Sequence, residues 1–349
     1  MKKLLISLMT LAVVFSLAAC SGAGSKSEAE ENIYSKLQAA ELICADCTED
    51  GTAGRLFGDY FAQRVSEITE GKLRIDYRPD GELGGDLDLL RKMQANEIQL
   101  VVCQTAPTVS FVPEMAVFDL PMVFSKYDGD RIDAVLNGSN DFTARLSGAY
   151  EKAGLHLLGF LQNGTYRLTT ANRPLTSLDD FKGLHIRTME NDNQMAFWAA
   201  LGAEPTPLPW AEVYGALKSG SIDAQENAAD TCWGASLQEV QQYLACTDHL
   251  LYCNQLCMNK EAWDSLDPAY QAAVVQAASE AIAYMRPLME EVDAYHKQKL
   301  AESGMQLIEY DAAFYEDILA LEGVQAVYDD IDRNQVDGLG TLLAEELRK

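Results

Sequence analysis

An alternation of strand-like and helix-like segments near the start of the chain limits the fold to few classes. Apolar residues recur with the twofold period of a strand in some segments and with the helical period in others. Three predicted strands and two predicted helices follow one another in the order 37–45, 51–71, 72–78, 86–96 and 98–103. Strands that alternate with helices form a mainly parallel sheet covered by helices. We therefore expect an α/β fold.

The rest of the chain continues this mixed pattern. Residues 111–124 are apolar but contain two prolines, which predicts a packed connector instead of a long helix. Residues 267–303 form one very long helical pattern, which Pro287 is expected to bend. The remaining predicted helices cover 130–154 and 311–348, and the remaining predicted strands cover 155–161, 167–170 and 185–188.

The N-terminus has the features of a targeting segment. Lys2 and Lys3 precede an apolar run of 16 residues (4–19), which is short for a membrane span. Small residues before Cys20 resemble a bacterial lipobox, in which the Cys becomes the first mature residue and carries the lipid. We expect a signal peptide over 1–19 and lipidation of Cys20. The alternative is an ordinary signal peptide with a chance Cys.

The chain that follows divides into a tether and a folded body. Residues 20–35 are mostly small, polar and acidic, which predicts a disordered tether. About 315 residues remain, enough for two lobes with their own cores. No later run is long and apolar enough to span a membrane, so we expect a soluble body. The net charge of −26, from 27 basic and 53 acidic residues, argues against nucleic acid as a partner.

The cysteines raise two alternatives to a simple binding protein. Seven remain after Cys20, an odd number without an obvious disulfide framework. Cys44 and Cys47 form a C-x-x-C motif, which is typical of thiol redox pairs, although the residues after it look like a loop instead of a helix. Residue types that bind metals also recur downstream, at Cys246, His249, Cys253 and Cys257. Buried cysteines often serve only as small apolar residues, so we expect neither chemistry.

Motifs of the common enzyme classes are absent from the sequence. It contains no G-x-G-x-x-G, Walker loop, H-E-x-x-H or G-x-S-x-G pattern, and its four histidines are scattered. We therefore expect no catalytic activity, no cofactor and no metal.

Residues 182–227 contain the most specific candidate for a binding site. Arg187 stands at the end of a short predicted strand, ahead of a helix with a small-residue face. A guanidinium group is a fork-shaped donor that can hold a carboxylate in two parallel hydrogen bonds. An organic anion is therefore the first ligand to consider. The alternative is a surface arginine paired with Glu190 or Asp192, and Glu190 is expected to restrain Arg187 or to cap the next helix.

Four ordered blocks of sequence resemble one family. The first includes FAQRV and TEGKL, the second PDGELGG, the third VPE and DLP, and the fourth LGAEPTP, EVYGAL and QEN; the blocks lie within 61–73, 79–90, 112–121 and 186–227. In this order and spacing they resemble the extracytoplasmic solute-binding proteins of TRAP transporters, the DctP-like family, here in a lipoprotein form. The resemblance covers nearly all of the chain after the tether.

This resemblance implies a fold and a partner. The fold is a two-lobed periplasmic-binding-protein-like α/β fold of the class II type, with hinge-linked lobes and a long helix that spans both. The lobes would close on a ligand in the cleft by hinge motion. Lobe I would comprise 36–163 and 252–291, and lobe II 164–251 and 292–349. The loaded receptor would be a monomer that delivers its ligand to the membrane subunits of a TRAP permease.

The resemblance also implies a set of ligand-binding residues. Arg187 occupies the place of the arginine that grips the ligand carboxylate, and Arg167 that of a second arginine that often assists it. Asn227 matches an asparagine that reaches the ligand, although Ala228 stands where the family usually has proline. The two remaining candidates are Trp210, which would line the cleft, and Gln104, which would meet the far end of the ligand.

The sequence thus predicts a small organic acid as the ligand. The candidates are a uronate, sialic acid, a dicarboxylate and a 2-oxo acid. The protein would be exported and lipid-anchored to the outer face of the cell membrane, or periplasmic in a Gram-negative host. A sensory receptor that signals to a membrane kinase remains an alternative, and a thiol redox or metal-binding lipoprotein is a third.

Overall fold

The computed structural model describes residues 32–162 and 164–349. The predicted signal peptide, the lipidation at Cys20 and most of the predicted tether lie outside these residues. The C-terminal end of the predicted tether (20–35) is ordered in the structure, because Ile33–Lys36 form a 3₁₀ turn. The ring of Tyr34 stacks on that of Tyr270, with centroids 6.1 Å apart, which ties this turn to the folded body.

The described residues contain two mixed β-sheets. Their strands are β1 (Ala40–Ala45), β2 (Leu73–Arg78), β3 (Leu100–Gln104), β4 (Leu155–Leu161), β5 (Leu168–Ala171), β6 (His185–Thr188), β7 (Glu204–Pro207), β8 (Ala224–Asn227), β9 (Tyr243–Ala245), β10 (Asn254–Asn259) and β11 (Gln306–Ile308). The first sheet has the order β2-β1-β3-β10-β4, and the second has the order β11-β9-β5-β8-β6-β7.

Helices cover both sheets. They are α1 (Ala53–Ile68), α2 (Asp86–Gln94), α3 (Thr105–Thr108), α4 (Gly129–Leu136), α5 (Asp141–Lys152), α6 (Asp192–Ala200), α7 (Trp210–Ser219), α8 (Ala229–Gly234), α9 (Lys260–Ser265), α10 (Pro268–Glu302), α11 (Ala312–Ala320), α12 (Glu322–Asp329) and α13 (Leu339–Arg348). Short 3₁₀ turns lie at Pro113–Asp119, Leu178–Phe181 and Leu237–Glu239, and a π-helical turn at Asp330–Gln335. None of these described helices is both long and apolar enough to cross a lipid bilayer.

The first sheet begins as the sequence predicts. β1 pairs in parallel with β2 and β3, while β10 runs antiparallel to β3 and β4. Successive residues of β3 face opposite sides of the sheet, so Val101 lies in the apolar core beneath α2, α4 and α5, and Val102 lies in the core beneath α1 and α10. Burial on both faces explains why β3 is a continuous apolar run.

The second sheet is built in the same way. β8 lies between β5, to which it is antiparallel, and β6, to which it is parallel. Leu244 and Ala245, adjacent in β9, belong to different apolar cores on the two faces of this sheet. The two sheets with their own cores form the two predicted lobes.

The chain crosses between the sheets side by side at two places. One crossing follows β4 and the other precedes β10, and they meet in an antiparallel bridge between Tyr166 and Leu251. The backbone N–H of Arg167 donates to the carbonyl oxygen of Leu250 (2.9 Å), and that of Tyr252 donates to Thr165 (2.9 Å). A pair of short crossing strands is a natural hinge.

The long helix α10 forms a third connection. Its N-terminal two-thirds pack into the core of the first sheet through residues such as Tyr270 and Met289, and near its end Leu300 lies in a core of the second sheet. Asp267 caps its N-terminus, accepting from the N–H of Ala269 at 2.9 Å, and Pro268 occupies the first turn, where proline is tolerated. The predicted helix that spans both lobes is confirmed, and it continues through Pro287.

The C-terminal segment also crosses between the cores. Phe314 and Val324 pack in the second lobe, whereas Ile331, Leu339 and Leu347 belong to a core of the first. The predicted boundary, which assigns all of 292–349 to lobe II, differs from this packing at its C-terminal end. We therefore propose that 331–349 belong with lobe I.

Two predicted helices are divided in the structure. The predicted helix 130–154 is wrong as one element, because Asn140 starts a new helix by accepting from the N–H of Thr143 (3.0 Å) while its own N–H donates to the Thr143 hydroxyl (3.2 Å). The predicted helix 311–348 is likewise interrupted, at Leu321, which has an extended backbone, and at Gly338, which has a φ of +75°.

Candidate functional site

A cavity of about 350 Å³ lies between the two lobes. Its walls come from the C-terminal ends of strands in both sheets, which is where open α/β sheets bind ligands. Gln104 ends β3, Asn227 ends β8, and Arg187 is the third residue of β6. These three side chains and that of Trp210 line the cavity, so the structure brings together four of the five predicted residues.

Arg187 is almost completely buried, with 3% of its surface exposed. Its Nε and Nη2 both donate to the carbonyl oxygen of Leu208, at 2.9 and 2.7 Å. Its Nη1 is also buried, and among the described residues it has no hydrogen-bond partner. One edge of the guanidinium fork is therefore fixed by the protein, and the Nη1 end remains available to an acceptor.

The charge of Arg187 is only partly compensated. Burial lowers the pKa of its guanidinium to about 10, and the positive charge of Arg167 acts in the same direction, while Glu226 opposes both. The group still carries its charge at neutral pH. A buried cation with an unused donor is costly unless an anion pairs with it, so the cavity is suited to an anionic group.

Arg167 lies behind the cavity wall instead of lining it. It forms a buried ion pair with Glu226, in which Nε contacts one carboxylate oxygen and Nη2 the other (2.8 Å). Its Nη1 donates to Oε1 of Gln104. All three guanidinium nitrogens are thus engaged within the protein, and Arg167 supports the site through Gln104.

Ala228 orients the amide of Asn227. The backbone N–H of Ala228 donates to Oδ1 of Asn227 at 3.0 Å, and Nε2 of Gln104 approaches the same oxygen at 3.4 Å. A proline at this position would lack the N–H. With Oδ1 occupied, Nδ2 of Asn227 is left as a donor for the cavity.

Two other predictions concern side chains at the cavity edge. Trp210 is the first residue of α7, and its ring lies 5.5 Å from the guanidinium carbon of Arg187, within cation–π range. Two roles are expected of Glu190. Its negative charge acts on Arg187, where it opposes the lowering of the pKa by burial, but Glu190 does not cap the following helix. Asn191 caps it by accepting from the N–H of Asn193 (2.9 Å) and of Gln194 (3.2 Å), and Glu190 lines the cavity instead.

Asp86 is a cavity residue that the sequence did not single out. It is the first residue of α2, and one of its carboxyl oxygens accepts from the thiol of Cys47 at 3.1 Å. Burial raises the pKa of the Asp86 carboxyl, while the Cys47 thiol and Arg187 oppose that rise. In the sequence, the Gly84-Gly85-Asp86 turn marks this position. Glycines allow a ligand to approach the backbone closely, and an acidic residue is favourable in the first turn of a helix.

The cysteines do not form the pairs that their spacing suggests. All seven cysteines in the described residues are free. Cys44 packs in one core of the first sheet, whereas Cys47 packs against the other core. Cys246 and Cys253 likewise lie in different cores, and in the described part of the chain no three His, Cys, Asp or Glu side chains are placed to hold a metal ion.

Comparison with known proteins places this architecture in a family. The family model of the bacterial extracellular solute-binding proteins, family 7 (DctP), matches residues 47–334. The 2,3-diketo-L-gulonate-binding periplasmic protein YiaO of Escherichia coli is 31% identical over 250 residues, covering 71% of this chain and 74% of YiaO. The ectoine-binding periplasmic protein TeaA of Halomonas elongata is 31% identical over 246 residues, covering 69% and 71%.

Solved structures agree with the fold. A TRAP periplasmic solute-binding protein from a Bradyrhizobium species, in complex with galacturonate, superimposes with a TM-score of 0.81 at 27% identity and covers 88% of this chain and 100% of that one. The sugar acid binding protein DctPAm of Advenella mimigardefordensis, in complex with galactonate, gives 0.83 at 24% identity, covering 89% and 99%. The chain belongs to family 7 of the bacterial extracellular solute-binding proteins, the DctP family of TRAP solute-binding proteins.

Proposed function

We propose that the protein is an extracytoplasmic receptor that binds a small organic acid and delivers it to a TRAP-type permease, without catalysing a reaction. The observation that carries this proposal is the unpartnered Nη1 of Arg187, buried beside a cavity between two lobes. A carboxylate at that point would accept from Nη1 and from the free proton of Nη2, and would compensate the buried charge. Gln104, Asn227 and Trp210 complete the proposed site, with Arg167 acting through Gln104.

The charges along the cavity favour a monocarboxylate over a dicarboxylate. Of the cationic side chains that line it in the described structure, Arg187 is buried, whereas Arg91 is largely exposed and donates to Asp88 at 3.2 Å. A second carboxylate would meet the half-buried Asp86 instead of a second buried cation, and like charges repel. Hydroxyl groups both donate and accept, so they can satisfy Asp86 and Asn227 together.

The size of the cavity supports a sugar acid. A volume of about 350 Å³ is at the small end of the range for ligand pockets, ~300–1,000 Å³. A hexuronate or an aldonate combines one carboxylate with several hydroxyls in such a volume. The galacturonate and galactonate bound to proteins of the same fold have this chemistry. We therefore propose a hexose-sized sugar acid as the ligand class.

The cellular setting is proposed from the sequence and the family. Family 7 proteins are extracellular solute-binding proteins. The charged, apolar and small-residue order of positions 2–20 supports export and a lipid on Cys20, which would hold the receptor near its permease.

A thermal-shift screen tests the ligand class. The panel contains D-galacturonate, D-galactonate, N-acetylneuraminate, succinate and pyruvate, with D-galactose as the matched sugar that lacks a carboxylate. A ligand at 100 times its Kd stabilises the folded state by about 2.7 kcal/mol, so a true ligand raises Tm by several degrees. We expect a sugar acid to shift Tm and galactose not to. Equal shifts by galactose and galacturonate, or no shift by any acid, would contradict the proposal.

A further inference from the structure

A hydrogen bond joins the two lobes at the mouth of the cavity. Nε1 of Trp210 donates to Oε1 of Glu49 at 2.9 Å. Trp210 follows β7 of the second sheet, and Glu49 lies in the loop between β1 and α1 of the first sheet. The bond therefore exists only while the two lobes are in contact at this point.

The same indole ring covers the buried cation of the site. The ring of Trp210 lies 5.5 Å from the guanidinium carbon of Arg187, and its nitrogen is held by Glu49. A tryptophan in the first turn of a helix could rotate about two side-chain bonds, but with its N–H fixed Trp210 keeps one face toward Arg187. Glu49 thus acts on the site through Trp210 without lining the cavity.

The loop that carries Glu49 is held on two sides. Within the loop, the carbonyl oxygen of Glu49 accepts from the hydroxyl of Thr52 at 2.8 Å. From the second lobe, Oδ2 of Asp230 accepts from the backbone N–H of Ala53 at 2.8 Å. Gly234 of α8 approaches so closely that a Cβ on it would lie 3.3 Å from Cβ of Glu49. Glu49 is therefore a fixed acceptor instead of a mobile surface carboxylate.

We infer that Glu49 is a positioning residue that clasps the closed receptor, holding Trp210 over Arg187 and slowing the release of the bound acid. This inference rests on the proposed function. Since the bond needs both lobes together, it forms after the ligand enters the open cleft and breaks before the ligand leaves. Its loss therefore acts on koff and leaves kon nearly unchanged.

Stopped-flow kinetics with D-galacturonate test the clasp. Glu49→Ala removes the acceptor, and Trp210→Phe keeps an aromatic ring but removes the donor. A hydrogen bond to a charged group corresponds to at least about a tenfold change, so each variant is expected to raise koff about tenfold, with kon within twofold of wild type. Glu49→Gln keeps an acceptor oxygen and is expected to recover part of the loss. Glu41→Ala and Trp263→Phe, away from the cavity, are the matched controls.

The double variant distinguishes a clasp from two independent effects. If the two side chains act through one bond, Glu49→Ala combined with Trp210→Phe raises koff no further than either change alone. Multiplicative effects on koff, or an equal loss of kon, would overturn the inference.

A second measurement covers the case in which galacturonate does not bind. If wild type does not bind galacturonate, that result counts against this ligand, and the same variants are compared with the strongest acid from the thermal-shift panel. With that acid, non-additive effects of the two substitutions on koff support the clasp, and multiplicative effects overturn it. If no acid of the panel binds, the proposed function fails, and the clasp that rests on it fails with it.

Discussion

At the scale of single residues, the buried carboxyl groups of this protein differ in what compensates them. Glu226 is desolvated, but the charge of Arg167 and a contact to His249 outweigh burial and hold its pKa at about 2. Asp46 and Asp119 receive hydrogen bonds mainly from neutral donors. Burial therefore dominates and raises the pKa of each to about 7.

The two kinds of carboxyl group affect stability in opposite directions. A pKa raised on folding means that the folded protein binds more protons than the unfolded chain between about pH 4 and 7. The stability contributed by Asp46 and Asp119 is therefore complete below that window and is lost as pH rises through 7. Glu226 contributes above its unfolded pKa, and its contribution is lost as pH falls toward 2. We expect the receptor to be more stable near pH 5 than near pH 8.

Asp46→Asn isolates one of these groups. Oδ1 of Asp46 accepts from the N–H (2.6 Å) and hydroxyl (2.8 Å) of Thr48, and Oδ2 accepts from the hydroxyl of Tyr77 (3.0 Å). An asparagine can keep these contacts if the Tyr77 hydroxyl turns to accept. The decline of stability between pH 5 and 7.5 should become shallower, by at most about 1.4 kcal/mol per pH unit. Urea unfolding at several pH values measures it. Asp50→Asn, at an exposed position, is the control, and equal slopes in all three proteins would contradict the pKa assignment.

Some contacts of single residues can be predicted from the sequence, and others cannot. Arg187 can be identified as a ligand-binding residue, because it stands at the end of a predicted strand before a small-residue helix, where the family resemblance places a carboxylate-binding arginine. The ion pair of Arg167 cannot be predicted, because its partner Glu226 lies 59 positions away and is brought beside it by the pairing of β5 with β8. Local periodicity carries no information on that register.

At the scale of elements, α1 lies unusually close to β2. A Cβ on Gly58 of α1 would stand 2.2 Å from the hydroxyl oxygen and ring of Tyr77. That tyrosine is held in place by Asp46, so it cannot simply rotate away. The glycine is therefore needed for packing inside a helix, where glycine is otherwise unfavourable.

Gly58→Ala should destabilise the protein in spite of the better helix propensity of alanine. The clash is expected to cost more than the gain in propensity of about 1 kcal/mol, for a net loss of about 1–3 kcal/mol. Gly148→Ala in α5 is the matched control, because nothing lies within 4 Å of a Cβ there, and it should stabilise by up to about 1 kcal/mol. Denaturant unfolding measures the change in the free energy of unfolding of both variants. Changes of the same sign in the two variants would contradict the clash predicted at Gly58.

The sequence predicts some helices accurately and merges others. α10 has a capping aspartate, a proline in its first turn and 35 residues of helical pattern, so its limits were predicted within one residue. α4 and α5 were merged, because the Asn137-Gly138-Ser139-Asn140 turn is short and both flanks have helical periodicity. Capping by Asn140, rather than a change of period, separates them.

At the scale of the whole molecule, two lobes share one cavity and are joined by several crossings. The order of strands and helices and the family resemblance predicted this arrangement. The return of the C-terminal segment to lobe I was not predicted, since the contacts of Arg131 with the carbonyl of Leu347 (2.9 Å) and of Arg145 with that of Val336 (2.7 Å) join residues about two hundred positions apart. Such long-range contacts depend on how the folded lobes fit together, and local sequence patterns do not contain that information.

Isothermal titration of D-galacturonate, or of the strongest acid from the thermal-shift panel, measures whether Arg187 anchors the carboxylate of a sugar acid between the lobes. Arg187→Lys keeps a positive charge but loses the fork that Leu208 orients, and Arg74→Lys, at an exposed position on β2, is the control. We predict one site per wild-type chain, unchanged affinity in the control and at least about a tenfold loss in Arg187→Lys. Wild-type affinity in Arg187→Lys would show that the guanidinium fork of Arg187 does not anchor the ligand.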